Sequence, residues 1–212
     1  MKNDLETLAK KFHSDKGMSH HGYTKHYEKH FIEFKYKPIK LLELGIGGYE
    51  FNHRGGSGLQ MWANYFENGK IYGCDIHDKS GITLPPRTKI YQGSQNDGDF
   101  LLRMMDEIGT PDIIIDDASH INKLTIESFK HLFPWLKSGG IYVIEDIESS
   151  WWNDHGFDGE PNFLNMQAPT SINFCRELLN CVNVKHLPGL VNPVYEIDSM
   201  HFYQNIVFIV KK

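Results

Sequence analysis

Apolar residues return along this chain with two different periods. In 40–46 (KLLELGI), 70–76 (KIYGCDI), 88–93 (TKIYQG), 112–117 (DIIIDD) and 140–146 (GIYVIED) they come in short, compact runs. Such runs predict strands buried on both faces. Between them apolar residues recur every three or four positions. Leu59, Trp62 and Phe66 mark a helix over 57–66. Phe100, Leu101, Met104, Met105 and Ile108 mark another, which Gly109 stops. Leu124, Ser128, Phe129, Leu132, Phe133 and Leu136 share a third helical face, with Pro134 kinking its last turn. This alternation predicts an α/β fold with a mostly parallel, doubly wound sheet of order 3-2-1-4-5. In "SMHFYQNIVFIVKK" two strand-like runs flank Gln204 and Asn205. A C-terminal antiparallel hairpin therefore completes a seven-stranded sheet.

The first 37 residues follow a helical pattern. Asn3 and Glu6 have capping-box spacing ahead of Leu5, Leu8 and Phe12. Thr24 can cap a second helix carrying Tyr23, Tyr27, Phe31 and Phe34, which Pro38 ends. The chain, 1–212, thus reads as one domain: an N-terminal helical cap over 1–37 and a core over 38–212. The stretch 153–169 (NDHGFDGEPNFLNMQAP) reads as a long loop, and loops of that length in compact domains usually serve function.

Composition narrows the partners. Of 212 residues, 40% are hydrophobic and 23% charged, with a net charge of -5. This supplies no electrostatic reason to expect nucleic acid or an anionic membrane. No apolar run has the length of a bilayer span, and the N-terminus lacks a signal-peptide core. Cys74, Cys175 and Cys181 show no CxxC spacing and cannot all pair. They read as buried thiols in a reducing compartment, with the cytoplasm as the default. Twelve histidines are many for this length, but those crowded into the first thirty residues have no cysteine among them and read as a polar segment rather than a metal site.

Chemistry gathers at strand ends. "LLELGIGGYE" puts Glu43 in the first strand and Gly45, Gly47 and Gly48 directly after it, a turn that lets backbone approach a ligand closely. Glu50 stands where a dinucleotide fingerprint has its third glycine, which weakens an NAD reading. Asp75 ends the second strand, where an acid accepts hydrogen bonds from ribose hydroxyls. The fourth and fifth strands end in Asp116–Asp117 and Glu145–Asp146, with His120 close behind. Like charges packed together are costly unless a cation neutralises them. Hard oxygen ligands without cysteine suggest Mg²⁺, Mn²⁺ or Ca²⁺. Helix caps and rim ion pairs are the bland alternative; two acidic pairs at neighbouring strand ends favour the metal.

The segments "LLELGIGGYE", "GGSGLQMW", "IYGCDIHDKS", "QGSQND", "IIIDDASH" and "YVIEDIESSWW" together resemble the metal-dependent, S-adenosylmethionine-dependent sugar O-methyltransferases of the mycinamicin and demethylmacrocin type. "SDKGMSHHGYTKHYEKHF" and "MHFYQNIVFIVKK" extend the resemblance from about Phe12 to the end. It implies a Rossmann-like class I methyltransferase fold. It also implies that Gly45, Gly47, Gly48, Tyr49 and Ser57 lie along the methionine part of S-adenosylmethionine, that Asp75 holds the ribose, and that Ser94 and Gln95 bound the adenine. Asp116 would lie on the cofactor side of its strand end. Asp117, Glu145 and Asp146 would bind Mg²⁺, and His120 would be the general base. The implied acceptor is a sugar or glycosylated small molecule, and the implied assembly a homo-oligomer. Rival readings are a methyltransferase for a catechol-like diol, an NAD-linked oxidoreductase, and a non-catalytic sugar-binding protein on the same fold.

Overall fold

The computed structural model describes residues 4–183 and 194–212. Seven strands hydrogen-bond in the order β3-β2-β1-β4-β5-β7-β6. The α/β expectation holds, and the chain divides into two compact units, Met1–Ser94 and Gln95–Lys212.

In the first unit, β1 (Lys40–Leu44), β2 (Lys70–Asp75) and β3 (Thr88–Gln92) run parallel. Leu41, Leu42, Leu44 and Ile71 are fully buried, as strands covered on both faces require. Helix α1 (Leu5–Phe12) is capped by Asp4, whose carboxylate accepts from Thr7 N at 2.8 Å. The cap expected at Asn3 lies outside the described residues. Helix α2 (Thr24–Phe31) starts without a side-chain cap. Thr24 donates instead to Glu6 at 2.7 Å, so the hydroxyl expected to cap joins α2 to α1. Tyr27, Phe31 and Phe66 pack around Trp62 of α3 (Ser57–Tyr65), with Tyr27 and Trp62 edge-on at 4.9 Å. Arg87 closes the end of α3, donating to the carbonyls of Ala63, Phe66 and Gly69. Helix ends leave carbonyls unsatisfied, and a cation both bonds them and opposes the helix dipole.

In the second unit, β4 (Ile113–Asp116) and β5 (Ile141–Glu145) are parallel, and β7 (Ile206–Lys211) pairs antiparallel with both β5 and β6 (Ile197–Tyr203). The hairpin turns at Asn205, φ 62°, a left-handed conformation that asparagine tolerates. Helix α4 (Gly98–Ile108) is capped by Asp97 and stops at Gly109. Helix α5 (Asn122–Leu132) passes at Pro134 into a short 3₁₀ turn, Phe133–Trp135, whose exit carbonyls Lys211 binds. The structure adds α6 (Ser171–Val182), capped by Thr170. The pattern reading names no element there, although Cys175 and Leu178 lie at helical spacing and are buried. The loop expected over 153–169 is present between a 3₁₀ turn, Ile147–Trp151, and α6.

Candidate active site

The glycine turn after β1 is a folded loop. Gly45, Gly47 and Gly48 have φ of 77°, 73° and 80°, and Tyr49 follows at 48°. A Cβ on Gly48 would lie 2.2 Å from the Arg54 carbonyl carbon, so only glycine fits where the loop doubles back on itself. Lys79 holds this loop from beneath. It is 2% exposed, and its ammonium donates to the carbonyls of Tyr49, Phe51 (3.3 Å) and Arg54 (3.4 Å). A lysine has three donors, and here each meets a carbonyl. Sequence reasoning missed Lys79, because nothing local marks a lysine whose partners lie across a loop.

Asp75 ends β2 as expected. One carboxylate oxygen accepts from Ile46 N in the glycine turn at 3.1 Å, the other from His77 N at 2.9 Å. Tyr49 is 81% exposed, and Ser57 and Ser94 are half-buried. Ser57 is the first residue of α3, and the N-cap position belongs to Gly56. Glu43, inside β1, forms a buried ion pair with Lys16 at 3.4 Å, both side chains 2% exposed. Tyr23 and Tyr27 are core residues.

In the second unit, Asp116 faces inward. Its carboxylate accepts from Ser128, from Tyr142 at 3.3 Å and from Gln95 at 3.3 Å. Burial pushes this carboxyl up to about 6, against the pull of the Ser128 hydrogen bond and the His120 charge. Gln95 is likewise buried, and its side-chain oxygen accepts from Ser119 N at 3.0 Å. Asp116 and Gln95 therefore hold the turn that leads to His120.

Asp117, His120 and Asp146 converge. One ligand atom from each lies within 4.8 Å of the others, and all three side chains are half-buried. His120 Nε2 is 3.8 Å from Asp117 Oδ1 and 3.6 Å from Asp146 Oδ2. Glu145, on β5 and 4% exposed, is outside this triad. His120 (φ 55°) and Asp146 (φ 49°) both adopt the left-handed backbone conformation. Such residues persist where the surroundings enforce them, and they cluster at functional sites. Two carboxylates and an imidazole in that compass are a donor set suited to a divalent cation.

No protein-family model matches the chain. It is 37% identical over 215 residues to mycinamicin VI 2''-O-methyltransferase of Micromonospora griseorubida, covering 99% of this chain and 53% of that protein. Demethylmacrocin O-methyltransferase of Streptomyces fradiae matches with the same identity and coverage. Among solved structures, the MycE methyltransferase of the mycinamycin pathway, in complex with Mg and SAH, superposes with a TM-score of 0.91 at 38% identity. That match covers 98% of this chain and 54% of the other. The fold is that of a class I methyltransferase. The chain spans about half the length of the curated relatives it matches. Within the methyltransferase fold, the glycine turn and the Asp117–His120–Asp146 triad follow the ends of parallel strands and Asp75 is the last residue of its own, where open α/β sheets bind ligands.

Proposed function

We propose that this chain is an S-adenosylmethionine-dependent, divalent-metal-dependent O-methyltransferase acting on a hydroxyl of a sugar or glycosylated small molecule. The observation that carries this reading is the Asp117–His120–Asp146 triad in a chain whose fold matches a methyltransferase solved with Mg and SAH. Two further similar proteins are named for rhamnosyl tetracenomycin-C and L-olivosyl-oleandolide as acceptors, which supports a sugar hydroxyl over a catechol. The weakened dinucleotide fingerprint at Glu50 speaks against the oxidoreductase reading. In this reading residues 1–212 form one methyltransferase domain, its location is the cytoplasm that the cysteine reading gives by default, and its assembly is the homo-oligomer that the resemblance implies. Among the described residues no helix is long and apolar enough to cross a membrane.

Gly45, Gly47, Gly48, Tyr49 and Ser57 would receive the methionine part of the donor, Asp75 its ribose, and Ser94 its adenine. Gln95 would bound the adenine with Ser94, and Asp116 would lie on the cofactor side of its strand end. Asp117, Glu145 and Asp146 would hold Mg²⁺. When bound, the cation would supply Lewis acidity that makes an acceptor hydroxyl more acidic. His120 would take the proton of that hydroxyl as its oxygen attacks the sulfonium methyl carbon. The new C–O bond forms as the C–S bond breaks, leaving a methyl ether and S-adenosylhomocysteine. Position and charge are what the protein contributes.

The triad favours a second assignment for one residue: His120, rather than Glu145, as the third ligand. Titration of S-adenosylhomocysteine and Mg²⁺ into wild type and Asp117→Asn tests the whole reading. Tight nucleoside binding in both, with the metal lost only in the variant, is the expected result. No nucleoside binding to wild type removes the methyltransferase reading. No metal binding to wild type removes the divalent site.

A further inference from the structure

Two left-handed residues, His120 and Asp146, stand on separate segments, and something has to hold those segments in register. Helix α5 begins two residues after His120, yet its N-cap residue, Ile121, offers no side-chain cap. The missing cap comes from the long loop. Asp158 accepts from Asn122 N at 2.7 Å and from Lys123 N at 3.0 Å, satisfying two donors of the helix start that have no intrahelical partner. It also accepts from the Asn122 side chain at 2.9 Å.

Asn122 is fully buried and uses its whole amide. Its nitrogen donates to Asp158 and to the Ser149 carbonyl at 3.4 Å. Its oxygen accepts from Ser150 Oγ at 3.1 Å and from Ser171 N, the start of α6, at 2.7 Å. Ser149 and Ser150 belong to the 3₁₀ turn that Asp146 opens. The Asn122 amide thus cross-links the segment bearing His120 to the segment bearing Asp146. The loop closes against the same turn: Glu160 N donates to the Ser150 carbonyl at 2.9 Å, and a Cβ on Gly159 would lie 2.5 Å from the Trp152 carbonyl. Four segments meet at one amide with every donor and acceptor used. A buried polar network satisfied in this way fixes one geometry, because each displacement strands a polar group away from water.

We propose that Asn122, held by Asp158, is a positioning residue that sets the separation of His120 and Asp146. The inference deepens the metal-site reading above and rests on it for its ligand. Outer partners of metal-binding groups commonly alter affinity by about 10–100-fold when removed.

The test compares wild type with Asp158→Asn and Asn122→Ala. Asp158→Asn is the milder change: it keeps one acceptor oxygen and turns an amide toward the Lys123 N–H. Cooperative thermal unfolding certifies that each protein is folded. Two readouts follow: Mn²⁺ affinity by electron paramagnetic resonance, and the rate at which diethyl pyrocarbonate modifies His120 relative to His26 in the same sample. Mn²⁺ binding weakened about tenfold or more in folded Asp158→Asn, with a changed His120 labelling rate, is the expected result. The exchanged pair Asn122→Asp with Asp158→Asn, which restores an amide–carboxylate contact, should recover part of the loss. Wild-type Mn²⁺ affinity in both folded variants overturns the inference. If wild type itself binds no Mn²⁺, the metal reading falls and the labelling rate alone decides: altered labelling upholds the positioning role, unaltered labelling ends it.

Discussion

His120 Nε2 lies 3.6 Å from Asp146 Oδ2, and both residues hold a left-handed backbone. Under the metal-dependent reading, an imidazole set between this carboxylate and that of Asp117 would serve either as a base beside the cation or as one of its ligands. The two roles make different predictions for one substitution. In His120→Ala a lost base lowers methyl transfer on the order of a hundredfold or more and leaves Mg²⁺ affinity unchanged. A lost ligand weakens Mg²⁺ as well. Calorimetric titration of Mg²⁺ beside a methyl-transfer assay separates them.

Gly48→Ala should damage the donor end. The added Cβ meets the Arg54 carbonyl carbon at 2.2 Å, at a φ of 80° that alanine rarely adopts. The loop has to open, so S-adenosylhomocysteine binding should fall at least tenfold, measured by calorimetry. Lys79→Met leaves the same loop in place but removes three hydrogen bonds to its carbonyls. Its expected cost is about 1–3 kcal/mol, or roughly 3–9 °C in Tm. A variant melting with wild type would show that the clamp contributes nothing.

The Lys16–Glu43 pair is buried on both sides, 2% exposed each. Removing the cation alone, as in Lys16→Met, keeps a carboxylate out of water without its charge partner. Such changes cost about 3–5 kcal/mol, whereas replacing both partners with apolar residues is often near neutral. Denaturant unfolding of Lys16→Met, Glu43→Leu and the double variant should therefore show strong coupling. Additive effects would mean that the pair is not a unit.

Thiol reactivity should divide the cysteines. Cys74 and Cys175 are buried and Cys181 is half-buried. Cys181 departs in this from the expectation of three buried thiols. Burial pushes the Cys175 thiol up to about 12. Its folded pKa stands above the unfolded value, so the unfolded chain loses this proton first and stability falls as pH rises from 9 toward 12. At pH 8, where Cys175 carries almost no thiolate, Cys181 should be the first thiol alkylated by iodoacetamide, identified by mass spectrometry. Equal labelling of Cys175 in the folded protein would contradict its burial.

The elements were legible because burial imposes a period. A strand covered on both faces must be apolar throughout, as in Ile113, Ile114 and Ile115, and a helix on a sheet must return an apolar residue each turn, as in Met104, Met105 and Ile108. Strand ends were legible for the same reason, since Asp75, Asp116 and Asp117 interrupt runs that are otherwise apolar. Helix caps were read less well: Asp4 caps α1, and Thr24, expected to cap α2, is its first residue and donates to Glu6 instead. A cap is one hydrogen bond whose register no period enforces.

By itself the sequence determined the α/β alternation, the closing hairpin, the glycine turn and the acidic strand ends, all of which are local patterns. The tertiary structure alone decided which of those acids meet. It turned Asp116 inward to Ser128 and Tyr142 and brought Asp117, His120 and Asp146 within 4.8 Å. It also placed Asp158 on the start of α5 and Lys79 under the glycine loop. These contacts join residues far apart in the chain, and a hydrogen bond across such a distance leaves no periodic trace in either partner.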